Sequence, residues 1–180
     1  MFKLQIKYLS FFFGIISILS FFNILYSYYF NLYLNLDTYY FTLLASFILF
    51  ITFFKFGKYD IKSNIFQKIL TIFLGYLLIP LVLSIPFYFS IYNLTFSNSF
   101  FEAISGFTST GFTVFDNIKL IDQSLVIWRS STQWLGGLYF LFSIIYLIDI
   151  YDDSFKKTLT NYISFNSSEI LKQAAKIFIL

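Results

Sequence analysis

Four apolar stretches, each about as long as a bilayer core is thick, constrain this chain more than anything else in it. A hydrocarbon core about 30 Å thick takes roughly 20 apolar residues in a helix. Residues 8–30, 39–56, 69–92 and 125–148 each supply such a run between charges or turn signals. There is too little polar sequence to cover them in water. Hydrophobic residues make up 58% of the chain and charged residues 12%, against about 25% charged in a soluble domain. The mean hydropathy of +0.76 agrees. The expected fold is an all-α integral membrane protein that crosses the membrane several times, with lipid as its first partner.

The charges between the stretches orient them, because Lys and Arg collect in cytoplasmic loops. Lys3 and Lys7 precede the first stretch, and the next connection holds Asp37 without a basic residue. Lys55, Lys58, Lys62 and Lys68 follow the second stretch, and Lys156, Lys157, Lys172 and Lys176 follow the fourth. One orientation satisfies all of them: N-terminus in the cytoplasm, residues 31–38 and 93–124 outside. No small-residue cleavage site follows the first stretch, which reads as an anchor kept in place.

What is missing narrows the function. The chain has no Cys and no His, so disulfide and thiolate chemistry are absent and so is the commonest metal ligand and general base. An enzyme is not expected, nor a cofactor. The net charge of +3 is accounted for by the cytoplasmic Lys residues, and no basic patch is dense enough to bind nucleic acid.

Residues 93–124 are not an ordinary loop. Residues 100–113 begin as a short amphipathic helix and end in hydroxyl residues around glycines. The sequence predicts Ser97 or Asn98 as the cap of that helix, with Glu102 in its first turn, where the dipole favours an acid. About ten helical residues reach about 15 Å, half a bilayer, so a segment that returns to its own side is a re-entrant loop. Irregular backbone is tolerated at that depth only where protein buries it or ions and water line it. Gly111 reaches angles closed to other residues, so neighbouring carbonyls can face a pore, as in a filter that replaces a cation's hydration shell. The competing reading is an external loop that Gly111 merely turns. Arg129 has two open readings as well: snorkelling to the outer interface, or bracing the loop by pairing with Glu102 or with loop carbonyls. Gly136 and Gly137 permit close packing or form a hinge; Pro80 and Pro86 kink the third stretch.

The run Phe101-Glu-Ala-Ile-Ser-Gly-Phe-Thr-Ser-Thr-Gly-Phe-Thr113, followed by Trp128-Arg-Ser-Ser-Thr-Gln-Trp-Leu-Gly-Gly137, resembles the first pore loop and following helix of the TrkH/KtrB (Trk/Ktr/HKT) family of potassium uptake proteins. The resemblance implies two N-terminal membrane helices (1–62), a first membrane-pore-membrane unit (63–150), and a cytoplasmic connection with the start of a further helix (151–180). It implies K⁺ passing a filter lined by the carbonyls of Ser109, Thr110, Gly111 and Phe112, with Glu102 and Arg129 supporting the loop. K⁺ at those carbonyls would be the only metal. It further implies a homodimer in the inner membrane of a bacterium, working with a cytosolic nucleotide-binding regulatory subunit of the TrkA/KtrA type. Two departures stand out. Such proteins carry four pore units where this chain has one, and Phe112-Thr113 stands where tetrameric potassium channels have Tyr-Gly. The rival expectation is a non-transporting assembly protein or an inactive remnant.

Overall fold

The computed structural model describes residues 6–57, 65–117 and 121–151, all helix and connecting loop. The expectations resting on Lys3, Lys58, Lys62, Lys156, Lys157, Lys172 and Lys176, and on residues 152–180, lie outside the described residues. Six helices follow in order: α1 (Ile6–Tyr29), α2 (Leu36–Phe56), α3 (Ile65–Leu83), α4 (Ile85–Tyr88), α5 (Phe96–Phe107) and α6 (Gln123–Tyr151). The chain divides into two compact units, Met1–Ser143 and Ile144–Leu180. The loop after α5 and the residues that contact it lie in the first; of the second, only the end of α6 is described.

Three spans, Lys7–Tyr29, Leu36–Phe56 and Phe66–Tyr88, are long and apolar enough to cross a membrane. The fourth predicted span is a continuous helix of 29 residues but does not join them by composition. Its first half carries Arg129-Ser-Ser-Thr-Gln133. The hydroxyls of that run bond back into their own helix: Ser130 to the Val126 carbonyl, Ser131 to Ile127 and Thr132 to Arg129, at 3.1, 2.9 and 2.7 Å. Polar side chains satisfied this way cost little in an apolar setting. The chain is a membrane protein on these spans, and its exposed apolar side chains, among them Phe21, Phe41, Leu44, Ile48 and Phe73, form the surface a bilayer would cover.

α1 and α2 pack as a hairpin, with Phe13 against Phe53 at 5.3 Å between ring centroids and Gly14 against the Phe50 ring, and both helices bury small polar side chains. Ser20, Asn23 and Ser27 of α1 and Thr38, Thr42 and Ser46 of α2 are buried. In lipid, small residues let helix backbones approach closely, which is where association energy comes from when the solvent is itself apolar.

The third span breaks instead of bending smoothly. Pro86 has no N–H and its ring opposes the carbonyl four residues earlier, so α3 ends at Leu83 and the one-turn α4 begins after Ser84. The Leu83 carbonyl at the break is taken by the buried Trp128 indole N–H of α6 at 3.0 Å. Tyr139 is the centre of the core. Its hydroxyl donates to the Ile72 carbonyl of α3 at 2.8 Å, and its ring lies 4.8 Å from Phe12, 4.9 Å from Tyr76 and 5.3 Å from Phe107. A β-carbon at Gly75 would overlap that ring, so glycine is what lets Tyr139 cross α3.

Candidate functional site

The site is the loop after α5 and the two helices that hold it. The helix starts one turn earlier than the sequence suggests. Thr95, not Ser97 or Asn98, is the cap, its Oγ1 accepting from the Asn98 N–H at 3.3 Å. Glu102 is consequently mid-helix instead of in the first turn, so the helix dipole is not what favours it there.

The far end of α5 closes on itself. The Ser109 N–H donates to the Gly106 carbonyl at 2.9 Å and the Thr110 N–H to Ser105 at 3.0 Å, the two bonds of a Schellman cap. Glycine normally fills the left-handed position of that cap; here Ser109 does, at φ 56°. Gly111 is left-handed as well, at φ 80°. Two left-handed residues two apart fold the loop back over the helix end. Residues 108–112 are exposed, Phe112 at 69%.

Beneath this surface loop lies a buried ion pair. Glu102 is 0% exposed and Arg129 of α6 is 11% exposed, with Nε 2.6 Å from Oε1. The carboxylate also accepts from the Thr113 hydroxyl at 3.1 Å and the Val114 N–H at 3.0 Å. The guanidinium reaches the loop from the other side, Nη2 donating to the Phe112 carbonyl at 3.1 Å and more weakly to Gly111 at 3.4 Å. Both partners of the bracing alternative, Glu102 and loop carbonyls, thus meet one side chain. Removing two charges from water is costly, and the bonds that the carboxylate takes from Thr113 and Val114 and that the guanidinium gives the loop carbonyls offset part of that cost.

Ser105 completes the lock. Its hydroxyl donates to the Phe112 carbonyl at 2.7 Å, and its carbonyl accepts from the Thr110 hydroxyl at 3.1 Å. The Phe112 carbonyl therefore has two donors, whereas those of Ser109 and Thr110 accept none among the described residues. Sequence reasoning missed Ser105 and Thr113. The available signal was their spacing, a hydroxyl seven residues before Phe112 and one just after it.

Glycines bring α5 against α6. A β-carbon at Gly136 would overlap the Phe107 carbonyl, and one at Gly106 would overlap the Thr132 hydroxyl. A side chain at Gly106 would require the Thr132 hydroxyl to leave the Arg129 carbonyl to which it donates. Gly111 has open space around it, so backbone angle, not crowding within this chain, is what requires glycine there. No group of three or more acidic, His or Cys side chains that could hold a metal occurs among the described residues.

Comparison with known proteins returns potassium and cation transporters. The chain is 34% identical over 65 residues to an uncharacterized cation transporter of Methanocaldococcus jannaschii, covering 36% of this chain and 14% of that protein. It is 38% identical over 60 residues to the Trk system potassium uptake protein TrkI of Halomonas elongata, covering 33% and 11%. It is 30% identical over 106 residues to the Trk system potassium uptake protein TrkG of Escherichia coli, covering 54% and 22%. The chain thus matches less than a quarter of the length of each of these relatives. No family model and no solved structure matches. The resemblance to Trk potassium uptake proteins holds over those stretches.

Proposed function

We propose that α5, the loop after it and the first half of α6 form one wall of a cation pathway through the membrane, and that the cation is K⁺. The observation that carries this reading is an exposed loop with two unpartnered carbonyls, held rigid from below by a buried ion pair. A surface turn has no need of such bracing.

In this reading the loop is re-entrant and faces outward, the N-terminus being cytoplasmic. The carbonyls of Ser109 and Thr110 replace water around a dehydrated cation. The Gly111 carbonyl shares in this, because a carbonyl has two lone pairs and Arg129 engages one. The Phe112 carbonyl, with both lone pairs occupied by Ser105 and Arg129, anchors the loop in place of binding. Glu102 and Arg129 cancel in charge, so the field at the ion comes from backbone dipoles. One such wall does not enclose an ion; further pore units complete the ring. The homodimer and the nucleotide-binding regulatory subunit belong to the same proposal, as what the resemblance implies.

Uptake in a potassium-transport-deficient cell, with this sequence in a chain carrying all four pore units, tests it. Gly111→Ser should lower K⁺ uptake, or its preference over Na⁺, at unchanged membrane abundance, since a side chain at φ 80° is strained by roughly 1–3 kcal/mol. Unchanged K⁺ affinity and Na⁺ discrimination would reduce the loop to a turn. Membrane abundance without uptake by the unmodified sequence in a chain carrying all four pore units would favour the assembly-protein reading.

A further inference from the structure

We propose that Asn35 is a positioning residue that holds together the two ends of the segment carrying the candidate filter, so that the N-terminal hairpin acts as a clamp on the pore loop. The inference rests on the cation-pathway reading for its functional consequence but not for its geometry.

Asn35 sits where Asn ordinarily caps a helix, at the start of α2, yet its side chain makes no cap bond. It is 1% exposed and spends both ends elsewhere. Its Oδ1 accepts from the Ile91 N–H at 3.1 Å, just ahead of α5, and its Nδ2 donates to Asp122 Oδ2 at 3.0 Å, just ahead of α6. Ile91 and Asp122 bracket the loop-bearing segment. One amide side chain therefore closes that segment into a ring from outside it.

The clasp is reinforced on both sides. The Asp122 N–H donates to the Tyr92 hydroxyl at 2.8 Å, a second tie between the same two ends. Asp122 Oδ2 also accepts from the Ser124 hydroxyl at 2.6 Å, which meets the Tyr39 hydroxyl at 2.9 Å. Asn23 of α1 donates to the Ser124 carbonyl at 3.2 Å. Both hairpin helices thus grip the start of α6, two turns before Arg129. A helix end held at this point fixes how far the Arg129 guanidinium reaches toward the loop.

The chain has no Cys, so a single introduced thiol reports local opening. Ser99→Cys, at a buried position of α5, and Ser20→Cys, at a buried position of α1, are each compared in membranes with a water-soluble maleimide. Asn35→Asp sets two carboxylates against each other at the clasp. It should speed labelling at position 99 at least tenfold and leave position 20 unreactive. Asn35→Asp with Asp122→Asn reverses donor and acceptor, the Ser124 hydroxyl following because it can do either. This double variant should restore slow labelling to within twofold. In the uptake assay K⁺ preference over Na⁺ should fall with the first variant and recover with the second at constant abundance. No change at position 99, equal acceleration at position 20, or failure of the swap to restore protection would each overturn the clamp. Correct labelling without any cation uptake would sink the pathway reading alone.

Discussion

Neutralising both members of the Glu102–Arg129 pair should cost clearly less than the two single neutralisations added together. The nearest atoms are 2.6 Å apart, which sets the charge centres about 4 Å apart and their attraction at about 4 kcal/mol for an effective dielectric near 20. Glu102→Gln keeps the shape but strands the guanidinium in a site where it is 11% exposed. Arg129→Gln strands a carboxylate that is fully buried. Each should cost about 3–5 kcal/mol, the penalty for breaking a buried pair from one side. The double variant replaces the pair with two amides able to bond each other and the same loop groups, Thr113, Val114 and the Phe112 carbonyl. It should recover about 2–3 kcal/mol relative to the sum of the singles. Reversible unfolding in mixed detergent micelles, run as a double-mutant cycle, measures this coupling. The uptake assay supplies the functional counterpart, since each 1.4 kcal/mol that reaches the filter is about a factor of ten in discrimination. Additivity within about 0.5 kcal/mol would mean that the two charges are solvated independently, and the bracing mechanism would be refuted.

Two further outcomes follow from packing and topology. Gly136→Ala should destabilise the same unfolding transition by at least about 1–3 kcal/mol, because the Phe107 backbone cannot yield to a new methyl group; Gly137→Ala, with open space around it, should change little. Phe112→Cys should react with an impermeant thiol reagent from the outside only; exclusive reaction from the cytoplasm would invert the topology and remove the pore-loop reading with it.

The α5–α6 contact shows how far a sequence reading reaches. Glu102 and Arg129 were each conspicuous as charges in apolar surroundings, and the pairing was one of two alternatives, because snorkelling and bracing leave the same trace in a linear chain. The helix cap was misplaced by one turn, since Thr95, Ser97 and Asn98 are all competent caps and only the path of the preceding loop selects among them. The contact of Gly106 with Thr132 leaves no mark in the sequence, because the two lie 26 positions apart and only the crossing of α5 and α6 brings them together.

The sequence by itself determined the solvent, the helices and the place of the unusual loop. Hydropathy and period are local properties, and a bilayer leaves almost no choice but helix for an apolar run of that length. The tertiary structure alone decided what the polar residues do. Asn35, Ser105, Thr113 and Asp122 are short hydroxyl, amide or acid side chains of kinds common at helix ends and turns, where local bonds are the usual expectation. Their partners here are set by the crossing of helices and the return of the loop. A hydrogen bond depends on angstroms of three-dimensional approach, and no periodicity along the chain encodes that distance.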